Sequence, residues 1–195
     1  METRNRPINT YMNKEIINTV IRNRKSIYPK DYSGEEVPDI VIKEILLNAN
    51  HAPTHHLTQP WFFKVYKNES KQNLIDIVSK IDESKLSKIK LNKFIQKVND
   101  SNAIISIFLN RDLKERLPEW EEIAAVSMSV QNMWLTCYAN NIGSYWSTPS
   151  FLKEYGDLID LDENETSLGF FFMGVYTHKE SPKLRNDINS KVEWV

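Results

Sequence analysis

At 195 residues, 41% of them apolar, the chain has the size and composition of one globular domain able to bury a substantial core. Its formal charge of −1 gives no global basic field, which argues against nucleic acid or anionic lipid as partners. The polar start from Met1 to Pro7 and the lack of any apolar run near the roughly 20 residues that span a bilayer lead to the expectation of a cytoplasmic protein, and a single Cys137 leaves no internal disulfide or cysteine metal cluster.

In chain order, Met12, Ile16, Ile17, Val20 and Ile21 recur at helical spacing and predict a helix that ends near Arg22-Asn-Arg-Lys-Ser26. Three cations and a hydroxyl in five residues suit a phosphate held by charge-assisted hydrogen bonds. Cations also complement a helix C-terminus without any ligand, so the phosphate reading depends on a second motif. Val37-Pro38 opens a second helix with Pro38 in its first turn, running to Ala49. The segment His51 to Trp61 follows, in which Pro53 and Pro60 bracket polar side chains that neither a helix nor a strand would seat together. It reads as a shaped, ligand-facing loop, with Trp61 plugging the core where a strand begins.

Trp61 to Tyr66, Ala103 to Leu109 and Leu168 to Val175 are the best strand candidates. Between the first two, Glu69 to Val98 is helical in pattern, and Lys85, Lys88, Lys90, Lys93 and Lys97 read as a solvated face. Pro118 to Asn141 is the longest helical pattern. Its small residues, together with Met128, Met133 and Trp134, suit packing on more than one side, and Cys137 reads as a packed thiol. Gly143 is expected to stop this helix, Ser144 to Thr148 to run out extended, and Ser150 to cap the next helix. Helices that separate the strands imply α+β or α/β, as a single domain over 1–195.

Several chemistries fall away on spacing. His51 and His55 are four apart, as in some zinc sites, but Pro53 lies between them and no acidic partner follows at metalloprotease spacing. Gly-x-Ser-x-Gly is absent, and the five glycines form neither a P-loop nor Gly-x-Gly-x-x-Gly. Any phosphate must therefore be held by side chains, and Arg24, Lys25 and Ser26 are the clustered candidates.

A basic-basic-Ser segment followed about thirty residues later by Pro-x-His-x-x-x-Gln-Pro-Trp resembles the FMN-dependent nitroreductase family, most closely its small single-domain members. The resemblance continues through Ala125 and Gln131-Asn132, Ile142-Gly143, Trp146-Ser-Thr148, Phe172-Met-Gly174 and Val192-Glu-Trp194, and covers roughly Ile16 to Val195. It implies an α+β nitroreductase-like fold, a central mostly antiparallel sheet wrapped by helices, and a homodimer with FMN at the interface. By resemblance, Arg24, Lys25 and Ser26 contact FMN, His55 and Gln59 are the polar positions of the proline loop, Trp146, Ser147 and Thr148 lie along the isoalloxazine, and Arg185 stands near the phosphate. One departure is Tyr28, where the family often has an arginine. A cation there would stabilise the anionic reduced ring, so the group that does so here is left open, and Lys25 or a partner-chain residue could substitute. The implied activity is ping-pong reduction of nitroaromatics, quinones or similar flat acceptors by NAD(P)H through flavin N5. Because the flavin carries the chemistry, no side chain is required as an obligatory acid or base, and no metal is expected. A flavin-binding or ligand-sensing protein without turnover is the alternative, and an interaction module without cofactor a third reading.

Overall fold

The computed structural model describes residues 10–177 and 185–195. Four antiparallel strands, β1 (Trp61–Lys67), β2 (Ala103–Asn110), β3 (Ile142–Ser147) and β4 (Glu165–Val175), form one sheet in the order β1-β2-β4-β3. Helices cover both faces. On one lie α1 (Thr10–Asn23), α2 (Asp39–Ala49) and α5 (Glu119–Ala139); on the other lie α3 (Ser70–Val78), α4 (Lys88–Asp100) and α6 (Leu152–Leu158).

Two-sided cover explains why β2 reads as a continuous apolar run rather than an alternating one. Ala103, Ile105, Ile107 and Leu109 pack against α2 and α5, while Ile104 and Phe108 point into the α3–α4 layer. β4 divides in the same way, with Phe171 and Met173 on the first side and Phe170 and Phe172 on the second. α5 is central: Val126, Val130, Met133 and Cys137 are buried on the sheet, and α2 packs alongside.

The single helical stretch read over Glu69 to Val98 is two helices separated at 79–87. Gly143 does not stop α5. The helix ends at Ala139, Asn141 takes the left-handed turn at φ 56°, and Gly143 lies inside β3. A Cβ at Gly143 would come within 2.9 Å of Ile27, and one at Gly174 within 2.5 Å of the Tyr32 ring. These glycines let the segment after α1 lie on the sheet edge. There Ile27 N–H donates to the Ser144 carbonyl at 3.0 Å and Tyr32 O–H to the Ile27 carbonyl at 3.0 Å. Ser150 does not cap α6, whose N-cap is Phe151.

Candidate functional site

The basic turn is held in a pocket of main chain and aromatic rings. Arg24 follows α1, its N–H bonded to the Val20 carbonyl at 3.0 Å, and its guanidinium carbon lies 4.5 Å from the centre of the Trp134 ring on α5. Arg24 Nη1 is buried and has no hydrogen-bond partner among the described residues. Burial first, and then the positive charge of Arg185, hold the Arg24 guanidinium below its usual range, although an arginine stays protonated throughout. Two guanidiniums close enough to repel, one with an unmet N–H, form an electrostatic seat for an anion. Ser26 is exposed two residues on, Lys25 is half-buried, and Arg185 is exposed.

Beyond Ser26, Tyr28 tilts against Tyr145 of β3 at 4.9 Å, and Lys97 Nζ of α4 lies 5.6 Å from the same Tyr145 ring. Tyr28, Lys30, Lys93 and Lys97 line a cavity of about 480 Å³. The lysines read as a plain solvated face thus include one, Lys97, that lies against the same Tyr145 ring as Tyr28. Nothing in the spacing of α4 marks it, because the contact is made by a strand fifty residues away.

β3 carries the next candidates. Trp146 Nε1 donates to the Leu168 carbonyl at 2.9 Å, Ser147 is half-buried and Thr148 exposed. β2 and β4 shift register between Ile107 and Phe108, beside Gly169 at φ 127°. A Cβ on Gly169 would sit 2.4 Å from the Ser147 carbonyl, so glycine here fixes the path of the Trp146–Thr148 segment.

The proline loop lies elsewhere. His55–Leu57 is a short 3-10 turn, and His56, Leu57 and Gln59 all have left-handed backbones, at φ 51°, 53° and 47°. Such conformations in non-glycine residues persist only where the surroundings impose them and cluster at ligand clamps. The Thr54 hydroxyl accepts the Gln59 N–H at 3.1 Å and meets the Thr58 hydroxyl at 3.1 Å. His55 Nδ1 donates to Glu121 in the first turn of α5 at 2.8 Å, and its ring stacks on His56. Trp61 packs against the core at the start of β1 and donates Nε1–H to Asn50 at 3.1 Å. The Gln59 side chain is exposed and makes no hydrogen bond among the described residues, so it does not tie the loop to its own core. No group of three or more His, Cys, Asp or Glu side chains that could hold a metal converges among the described residues.

The two halves of the predicted site are far apart within one chain. His55 meets α5 at Glu121 and Arg24 meets it at Trp134, thirteen residues later, which is about 20 Å along a helix rising 1.5 Å per residue. Sequence reasoning also missed the buried Glu122, which accepts Arg111 Nε at 2.9 Å and the Asp112 N–H at 2.9 Å. This pair anchors the start of α5, and no local pattern announces it.

An antiparallel four-stranded sheet wrapped on both faces by helices, with a basic turn on its β3 edge and a Pro-bracketed loop at the head of α5, is the nitroreductase-like fold. The chain belongs to the Nitroreductase family, whose profile matches residues 21–175. It is 28% identical over 182 residues to the Bacillus subtilis protein YfhC, provisionally named an NAD(P)H nitroreductase, covering 90% of this chain and 92% of that one. A nitroreductase-like family protein from Bacillus cereus superposes with a TM-score of 0.80 at 23% identity, over 92% of this chain and 95% of the other. A provisionally named Desulfovibrio desulfuricans nitroreductase, solved in complex with FMN, superposes with a TM-score of 0.70 at 23% identity, over 92% and 96%. No helix among the described residues is long and apolar enough to cross a membrane.

Proposed function

We propose that this protein is an FMN-dependent oxidoreductase that uses NAD(P)H to reduce nitroaromatics, quinones or similar flat acceptors. The observation that carries this is the buried, unmet Nη1 of Arg24 beside Arg185, a donor set that fits a phosphate monoester. The fit is reinforced by the family membership and by the FMN in the Desulfovibrio desulfuricans structure. Bound FMN would supply the redox chemistry between nicotinamide and acceptor.

The chain's own residues bind, orient and shape. Arg24, Arg185 and Lys25 hold the phosphate, Ser26 and the Trp146–Thr148 segment border the ring, and Gln59 and His55 offer polar side chains from the proline loop. Lys97, against the same Tyr145 ring as Tyr28, would be a source of positive charge for a reduced flavin ring. No side chain is needed as an obligatory acid or base.

A separation of about 20 Å between the basic turn and the loop supports a site completed by a second copy, the loop of one subunit meeting the cofactor held by the other. Exposed apolar side chains support the same assembly. Ile16, Ile17 and Ile21 on α1, Trp120, Ile123 and Met128 on α5, and Val192 and Trp194 in the tail all face outward, an extent of apolar surface expected of an interface. Of the residues expected there from sequence, Met133 is in the chain's own core and Trp134 lies under Arg24.

The test is the purified protein's visible spectrum, its FMN content per subunit, and NADPH and NADH oxidation with menadione and with a nitroaromatic. A yellow protein with about one FMN per subunit and acceptor-dependent turnover is expected. Yellow protein without turnover would favour the flavin-binding alternative; colourless protein that takes up no FMN would overturn the reading. Sedimentation should give twice 22.9 kDa, and a monomer that retains FMN would remove the shared site.

A further inference from the structure

We propose that Trp134 is the positioning residue of the phosphate anchor, an indole platform that fixes the Arg24 guanidinium so that its unmet N–H points at the cofactor's phosphate. The inference rests on the FMN reading above and deepens it.

The indole is restrained on several sides. Its Nε1–H donates to the Ser144 carbonyl at 3.0 Å, and its edge meets Phe171 of β4 at 5.8 Å and 82°. Arg24 lies over its face at 4.5 Å. The same Ser144 carbonyl also accepts the Ile27 N–H at 3.0 Å. One acceptor on β3 therefore ties both the platform and the turn that carries the arginine, and the two cannot shift independently.

A guanidinium held over an aromatic ring by its charge makes no hydrogen bond to that ring, so its N–H groups remain available. The ring restricts where the cation can lie, and Nη1 is buried with no hydrogen-bond partner among the described residues. An anion oxygen that meets Nη1 completes its hydrogen bonding, and an arginine already held against the ring needs little reordering to receive it. An arginine on a flexible, solvated stem would have to be immobilised at binding.

If Trp134 merely fills space, its loss lowers stability and affects every flavin alike. If it positions Arg24, its loss affects the phosphate alone. FMN and riboflavin differ only in that group, so the ratio of their affinities for the apoprotein, read by flavin fluorescence quenching, isolates it. Trp134→Leu should reduce the preference for FMN over riboflavin about fivefold to tenfold, and Trp134→Phe, which keeps a face, should lose less. In an Arg24→Gln background Trp134→Leu should change the ratio no further, since the two act as one unit. An unchanged ratio in Trp134→Leu, with only a lower apoprotein Tm, would overturn the proposal. If that variant does not fold, Trp134→Met and Trp134→Phe decide by the same ratio. A wild-type protein that binds FMN no better than riboflavin would instead overturn the phosphate-anchor reading beneath it.

Discussion

The two ends of α5 carry the two halves of the candidate site, and they are built in opposite ways. At the C-terminal end everything is tied. Arg24 lies on Trp134, Trp134 on the Ser144 carbonyl, and Trp146 on the Leu168 carbonyl. At the N-terminal end the proline loop is exposed, holds three left-handed residues and reaches α5 through the hydrogen bond of His55 to Glu121. A single exposed hydrogen bond contributes about 1 kcal/mol. Under the proposed function the contrast would divide the labour between an anchor already tied within the fold and a loop exposed to what it meets.

The largest effect should come from adding one methyl group to the rigid half. Gly169→Ala forces a side chain into φ 127° and against the Ser147 carbonyl, which should lower stability by about 3 kcal/mol, the sum of backbone strain and overpacking. Urea unfolding of the apoprotein measures it, and a loss below 1 kcal/mol would mean that β3 and β4 yield where they look tight. Arg24→Gln should weaken FMN binding about tenfold to hundredfold, since hydrogen bonds to charged groups contribute roughly 1.5–3 kcal/mol, and should leave apoprotein stability unchanged or raised because it removes a buried cation. Unchanged affinity in a flavin titration would move the phosphate elsewhere.

Alkaline pH probes the same half. Burial pushes the Cys137 thiol from 9.0 up to about 12, so the folded protein keeps a proton that the unfolded chain releases. The stability this provides is complete below pH 9 and is lost as pH rises towards 12. The urea midpoint should fall across that window, and the thiol should resist a disulfide reagent until the protein unfolds. Reaction in the native state at neutral pH would show that α5 opens locally.

The exposed half should respond more gently. Gln59→Leu should reduce FMN affinity about twofold to tenfold and leave the apoprotein Tm unchanged, because the side-chain amide has no hydrogen-bond partner among the described residues; equal Tm losses in apo and holo forms would remove Gln59 from the site. Smallest of all, Leu57→Gly relieves a left-handed backbone worth about 1 kcal/mol, which the added freedom of glycine in the unfolded chain largely cancels. Stability should stay within about 0.5 kcal/mol, and a larger loss would show that this exposed leucine packs against something in solution, the partner subunit foremost.

The sequence by itself determined the elements and the chemistry type. Periodicity located α1, α2 and α5 to within a few residues, β-branched and aromatic runs located β1, β2 and β4, the basic turn stood out as a composition suited to a phosphate, and the proline loop as one that fits neither helix nor strand. These are local signals, written within a few residues of where they act. Contacts across the chain were settled only by tertiary structure. Gly143 looked like a helix stop, but the side chains of Ile27 and Tyr32, distant in sequence, are what demand a glycine there. Trp134 looked like part of an apolar helix and is the seat of a cation; Lys97 looked like one of five solvated lysines and stands over a strand's tyrosine. The left-handed backbones at His56, Leu57 and Gln59 had no glycine or asparagine to announce them. Local propensity selects among conformations that differ by fractions of a kcal/mol per residue, whereas burial and hydrogen bonding from across the fold act with several times that strength, and where the two disagree the fold decides.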